Sequence, residues 1–169
     1  MRGTPLLVQL FIIYYALPSA GFSFDPLTAA TIGLSLNSGA YQAEYLRGAI
    51  QSIPSGQMIA ARTLGMTQLK AIKNIILPQS LRISIPAWSN ELIYLIKYTS
   101  IVYIIQVREL FAEGIFIASD TYRYIEVYAI LAIIYLFFTF IFTEVIDYIE
   151  RKVSIPGIGT IKGSELRHI

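Results

Sequence analysis

Cysteine is absent from the 169 residues, which excludes disulfides, thiolate zinc sites and a cysteine nucleophile. Histidine is nearly absent: His168, beside the C-terminus, is the only one, and a solvated tail residue is the expected reading there. Charge is scarce as well. Only 14% of residues are Asp, Glu, Lys or Arg, against roughly a quarter in an ordinary soluble domain. A soluble domain of this length needs a polar surface, and this chain has little to cover itself with. The formal net charge of +2 is too small to argue for nucleic acid. What remains is apolar: 55% of the residues are hydrophobic and the mean hydropathy is +0.59. The chain is expected to live in a membrane.

Four apolar segments stand out. Residues 3–24, 26–43 and 127–143 carry no charge, and residues 83–105 carry only Glu91 and Lys97. A hydrocarbon core about 30 Å thick needs about 20 helical residues, so each segment is a candidate span. Pro5, Pro18 and Gly21 interrupt the first, and its helix is expected from Thr4 to Leu17. Within hydrocarbon every backbone N–H and C=O needs an internal partner, which leaves helices or a closed barrel. The segments lack the two-residue alternation of barrel strands, so the fold class is all-α, a polytopic bundle with about four transmembrane helices. No small-residue cleavage site is followed by a soluble domain, so a cleaved signal peptide is not expected at the N-terminus.

Basic residues give the orientation. Residues 47–82 hold Arg47, Arg62, Lys70, Lys73 and Arg82 with no acidic residue, and the C-terminal tail holds Arg151, Lys152, Lys162 and Arg167. The connection around Asp25 has no basic residue, and that from Gln106 to Tyr124 sets Arg108 and Arg123 against Glu109, Glu113 and Asp120. Basic connections are retained inside, which places Arg2, the 47–82 loop and the C-terminus in the cytoplasm of a multi-pass cell-membrane protein. Tyr14, Tyr15, Tyr122, Tyr124, Tyr128 and Tyr148 sit near the interfaces, as an aromatic belt would. Residues 1–150 thus read as a transmembrane domain that includes the loop, and residues 151–169 as a cytoplasmic tail.

The loop between the second and third segments carries the most information. Residues 56–64 read as a helix with Ser55 as N-cap, broken by Gly65. Thr67 can cap a second helix to about Leu77, where Pro78 is expected to stop it. Leu69, Ile72, Ile75 and Ile76 form an apolar stripe of the buried type, with Lys70, Lys73 and Asn74 elsewhere. An interfacial helix lying on lipid headgroups is the other reading of that stripe, and the lysines suit it.

Ala60 and Ala61, then Gly65, then Ile75, Leu77 and Pro78 follow the spacing E-A-A-x3-G-x9-I-x-L-P. With RGTPLLVQLF at 2–11, LSLNSGAY at 34–41, RGAIQSIP at 47–54 and LPQSLR at 77–82, the chain resembles binding-protein-dependent ABC import permeases. The likeness is to the polar amino-acid uptake subfamily, which carries histidine, glutamine or arginine. The resemblance implies a type I ABC importer permease fold that dimerises with a second copy or paralogue. It implies cytoplasmic ATPase subunits, an extracytoplasmic amino-acid-binding protein and a polar or cationic amino acid as partners. Ile59, Ala60, Ala61, Arg62, Leu64 and Gly65, with Ile75, Leu77 and Pro78, would then form the coupling element seated in the ATPase. ATP would be bound and hydrolysed on that partner, because this chain has no Gly-x4-Gly-Lys-Ser/Thr loop; it would be a non-catalytic subunit without a cofactor of its own. Two departures stand out. The family's glutamate at the head of the motif is Ile59 here, and the membrane helix that precedes the RGTP stretch in the family is not in this sequence, so four of five helices are expected.

The third segment offers candidates for a substrate path, since ionisable residues in a span are costly unless paired or hydrated. Asn90, Tyr94 and Lys97 share a face at i, i+4 and i+7, and Glu91 lies about 100° round the helix. Glu91 could meet an amino group or a cationic side chain. Equally, Lys97 could snorkel to headgroups and Glu91 could pair with it or with another helix. Asn37 and Ser38, with Gly33 and Gly39 nearby, read as helix-packing residues, and Tyr14 and Tyr15 as packing and belt residues. A membrane-embedded enzyme is the rival class. It would need paired aspartates or internal histidines, whereas Asp25 and Asp147 fall on opposite sides. A truncated or inactive permease fragment is the other alternative. The residues leave open which amino acid is carried, whether the dimer is homo- or heteromeric, and whether this subunit has its own substrate pocket.

Overall fold

The computed structural model describes residues 2–153, and all of its regular structure is helical. His168, Lys162, Arg167 and most of the 151–169 tail lie outside the described residues. The first apolar segment is one composite rod: an α-helix α1 (Leu6–Phe11), a π turn (Ile12–Ala16) and a 3-10 turn (Leu17–Ala20). It runs past the expected end at Leu17, because Pro18 falls in the first turn of the 3-10 stretch, where its missing N–H costs nothing. Gly21 ends the rod instead, in the left-handed conformation at φ 89°.

Helix α2 (Pro26–Gln51) starts on Asp25, whose carboxylate accepts the N–H of Thr28 at 3.0 Å, with Pro26 in the first turn. Those bonds from Thr28 hold the Asp25 carboxyl below the usual carboxylate range. The loop follows as α3 (Ser55–Thr63) and α4 (Gln68–Ala71), and α4 leads through a π turn (Ile72–Ile76) into α5 (Leu77–Tyr98). A 3-10 stretch (Thr99–Ile105) closes that rod, and α6 (Leu110–Thr121) and α7 (Tyr124–Val153) complete the fold.

Two local expectations are corrected. Ser55 is not a cap: Pro54 holds the N-cap position and Ser55 is the first helical residue. Pro78 does not stop the second loop helix. It lies in the first turn of α5, and the wider π turn just before it accommodates the donor that proline lacks. The loop and the third apolar segment are therefore one continuous rod from Gln68 to Ile105. Helix α6, in the connection of residues 106–124, is an addition to the expected helices. Its N-terminus is built by Glu109, whose carboxylate accepts the N–H groups of Phe111 at 2.8 Å and Ala112 at 2.7 Å. Beside it Arg108 grips Glu113 through two bonds, which raises the guanidinium above its ordinary range.

Of the four expected spans, α7 is the helix among the described residues that is long and apolar enough by itself, with a mean hydropathy of 2.4. The rod Leu6–Ala20 is apolar but shorter. Helices α2 and α5 have 26 and 22 residues, enough at about 1.5 Å each to cross, and their apolar stretches are punctuated by polar residues. Those polar residues are used. Asn37 donates to Gln9 at 3.2 Å, and Gln9 donates to the hydroxyl of Thr4 at 2.8 Å, which ties α1 to α2 through buried amides.

The central core gathers Leu10, Ile13, Ala29, Ala30, Val102 and Ile105, where the first rod, α2 and the end of the α5 rod meet. Close approach there needs Gly33, since a Cβ at that position would meet Leu10 Cδ2 at 2.6 Å. Gly114 does the same for α6 on α7, where an added Cβ would run into the Leu131 side chain. The expected result for Gly33→Val is a loss of about 1–3 kcal/mol through overpacking, read as a lowered unfolding midpoint in detergent. An unchanged midpoint would show that α1 and α2 are not closely packed at this glycine.

Candidate functional site

Helix α3 ends in a complete left-handed cap. Gly65 sits at φ 82°, its N–H bonds to the carbonyl of Arg62 at 3.0 Å, and Met66 N–H reaches back to Ala61 at 3.1 Å. The pairing of these two bonds satisfies the last carbonyls of the helix and turns the chain sharply. Thr67 then accepts the N–H of Lys70 at 3.4 Å and starts the next helix. Helix α3 packs against α4 and the π turn, with Ala61 and Ala71 both buried. Two alanines and a glycine thus make a tight helix–turn–helix elbow.

The elbow's outer surface carries three large apolar side chains among polar ones. Ile59 is 64% exposed, Leu64 84% and Leu69 79%, with Ala60, Arg62 and Gly65 exposed beside them. Large apolar side chains held in a rigid elbow and left open form a surface suited to another partner. The stripe expected to be buried is therefore split: Ile76 is buried, Ile75 and Leu77 are half-buried, and Leu69 and Ile72 are open, as is Pro78. A stripe on the helix faces inward only where a neighbour covers it, and α3 covers one side of the rod.

Along the same rod, α5 packs on α2. The indole N–H of Trp88 donates to the carbonyl of Gln42 at 3.2 Å, and the Tyr45 hydroxyl donates to Glu91 Oε2 at 3.4 Å. Glu91 is only 4% exposed, and its Oε1 has no hydrogen-bond partner among the described residues. A carboxyl oxygen enclosed between two helices without a donor is costly. The other three expected path residues are not gathered with it. Asn90, Tyr94 and Lys97 lie on an exposed face, and Lys97 Nζ sits 4.4 Å from the Tyr94 ring centroid rather than on Glu91. Lys97 also lines a recess of about 280 Å3 against Tyr128 and Tyr135 of α7.

One feature of α2 lies outside the expected site residues. Thr31, Ser35, Ser38 and Gln42 line an open groove of about 530 Å3 between α2 and α5, closed on the far side by Leu95, Ile96 and Thr99. The signal for it is in the sequence: residues 31, 35, 38 and 42 step at i, i+4, i+7 and i+11 and form a hydroxyl and amide stripe in an apolar helix. Ser38, expected to serve packing, lies on this groove and accepts from Gln42 at 3.2 Å. Glu91 stands one helical turn before Leu95, buried in the same α2–α5 seam and outside the groove's lining.

Comparison with known proteins adds the family context. The model of the binding-protein-dependent transport system inner membrane component matches residues 1–155. The chain is 45% identical over 158 residues to the probable amino-acid permease protein YxeN of Bacillus subtilis (strain 168), covering 92% of this chain and 70% of that protein. It is 45% identical over 154 residues to the L-cystine transport system permease protein TcyB of the same organism, covering 90% and 66%. To the glutamine transport system permease protein GlnP of Escherichia coli (strain K12) it is 39% identical over 157 residues, covering 92% and 72%. The chain thus spans about two thirds of the length of these relatives. Among solved structures, a chain of an amino acid ABC transporter crystallised with histidines superposes with a TM-score of 0.84 at 42% identity, covering 89% of this chain and 71% of that one. The methionine transporter MetNI, in an inward-facing form, matches in fold with a TM-score of 0.72 at 23% identity, covering 91% and 71%.

The cap at Gly65 yields a direct test of the elbow. In Gly65→Val the left-handed conformation costs about 1–2 kcal/mol, so amide exchange in α3 should accelerate by about tenfold while that of α7 is unaffected. Equal protection of α3 in both proteins would show that the turn does not hold the helix.

Proposed function

The chain belongs to the family of binding-protein-dependent transport system inner membrane components, and on that premise we propose that it is the membrane-spanning permease subunit of an ATP-driven amino-acid importer. The single observation that carries the mechanism is the uninterrupted rod. One end of it, from Gln68, forms half of the elbow with the exposed Ile59, Leu64 and Leu69. The other end carries Glu91 and the wall of the α2–α5 groove. The helix runs on through Pro86, which lies inside α5 between the elbow and the groove wall, so a displacement of the elbow carries the groove wall with it.

In this reading the elbow lies in the cytoplasm and is held by a separate ATPase subunit, which binds and hydrolyses ATP. Ile59, Ala60, Ala61, Arg62, Leu64 and Gly65 make the coupling surface, with Ile75, Leu77 and Pro78 forming the root of the rod. Where the family's motif begins with a carboxylate, Ile59 supplies an apolar contact, so docking here leans on burial more than on an ion pair. The C-terminus lies on the same side. An amino-acid-binding protein delivers substrate from the outside, and a second permease copy or paralogue faces the exposed Asn90, Tyr94 and Lys97. The amino acid moves along the groove of Thr31, Ser35, Ser38 and Gln42. Its ammonium group, or a cationic side chain, meets the unpartnered oxygen of Glu91, and the desolvated charge pair compensates both groups.

The test is uptake by the complex reconstituted with its ATPase and binding protein. ATP-dependent accumulation of an amino acid is the expected result, and Glu91→Gln is expected to reduce it by about tenfold, the loss of one charge-assisted bond. Undiminished uptake of arginine, lysine, histidine and glutamine by the variant would remove Glu91 from the path. No accumulation by the wild-type complex while its ATPase turns over would overturn the transport reading itself.

A further inference from the structure

The elbow needs a fastening to its rod if it is to transmit force, and apolar contact between α3 and α4 supplies only part of one. The structure holds a second fastening. Gln57 on α3 donates from Nε2 to Gln79 Oε1 at 3.1 Å, and Gln79 Nε2 donates back to Gln57 Oε1 at 2.7 Å. Two carboxamides facing each other in this way form a closed ring of two hydrogen bonds, which fixes their distance and their relative orientation. Gln79 Nε2 donates its other hydrogen to the carbonyl of Ile75 at 2.8 Å, at the π turn where the rod changes pitch. Each donor of the Gln79 amide is therefore used. Both side chains are half-buried, so water competes for them less than at an open surface.

The placement is specific. Gln57 lies one turn before Ala61, on the side of α3 turned away from the exposed Ile59. Gln79 follows Pro78 in the first turn of α5. The ring thus joins α3 to the rod beyond the π turn, bypassing both the Gly65 bend and the wide turn at Ile72–Ile76. The Gly65 bend is the place where α3 could otherwise swing on the rod.

We infer that the Gln57–Gln79 amide ring is a positioning element that locks the coupling helix to the substrate-bearing rod, so that motion of α3 becomes motion of α5. This rests on the proposed transport function and deepens it: the two glutamines touch neither nucleotide nor substrate and act through α3 and α5. Losing the lock lets α3 rock on its cap while the ATPase holds it, so ATP is hydrolysed without moving the groove wall.

The experiment uses the reconstituted complex with its ATPase and binding protein, reading amino acid transported per ATP hydrolysed. In Gln57→Glu the side chain keeps its shape but loses the donor. It is expected to lower that ratio by about tenfold, as is Gln79→Leu, with the double variant no worse than either alone. Because the chain has no cysteine, Gln57→Cys with Gln79→Cys can be bridged selectively by a short bis-methanethiosulfonate. Bridging is expected to restore the ratio to within about twofold of wild type, and reduction of the bridge to abolish it again. A ratio unchanged in the single variants, or additive losses in the double, would overturn the lock. So would a bridged pair that transports no better than the unbridged one. The wild-type complex, measured alongside, reports on the transport reading separately: its failure to accumulate any amino acid would sink that reading and not the ring.

Discussion

Helices α2 and α5 are tied by the Trp88 indole on the Gln42 carbonyl and by the Tyr45 hydroxyl on Glu91, and the elbow of residues 52–76 leaves one helix and returns to the other. Everything else hangs on that pair. The first rod seats Leu10 and Ile13 against α2, and the 3-10 end of the α5 rod contributes Val102 and Ile105 to the same core. The hydroxyl-lined groove lies along the seam, and Glu91 is buried in the same seam. Since the pair also anchors both legs of the elbow, the elbow and the groove share one structural element. Polar ties of this kind are individually modest in a membrane, but in hydrocarbon they have few competitors.

Two of the prolines are accommodated by the same device. Pro18 and Pro78 each come two residues after a π turn, Ile12–Ala16 and Ile72–Ile76. In both places the rod widens by a residue and continues, where a strict α-helix would have to break or kink. Prolines are tolerated in membrane helices when the freed carbonyls find other partners. The consequence is mechanical continuity. A rod that stopped at Pro78 would leave the elbow on a loose hinge, and the present one does not stop.

Hydropathy makes the membrane class and the four helical segments legible, because long uncharged runs in a chain this poor in charge are stable in hydrocarbon and in little else. The elbow is equally readable: Gly65 and Thr67 are terminators and caps whose physics is local. What the residues do not disclose is tertiary. Whether Pro78 ends a helix or begins one depends on the turn before it, and nothing in the residues alone selects a π turn at Ile72. Helix α6 is hidden because Glu109 is an uncommon N-cap, and its role follows from where its carboxylate points. Periodicity correctly places Asn90, Tyr94 and Lys97 on one face. Spacing also sets Glu91 about 100° from them, but that this side packs on α2 is what spacing cannot show. The groove stripe of Thr31, Ser35, Ser38 and Gln42 is readable in principle, but the small residues beside it point more strongly to helix packing.

The central claim is an elbow whose open apolar knobs are held by a nucleotide-hydrolysing partner inside the cell. Ile59, exposed at its tip, is the place to ask. A photoreactive side chain introduced there, activated in intact cells and followed by mass spectrometry of the adducts, reports the neighbour directly. An adduct with an ATPase subunit is the expected result. Adducts with the secreted binding protein, or with lipid alone, would contradict the claim.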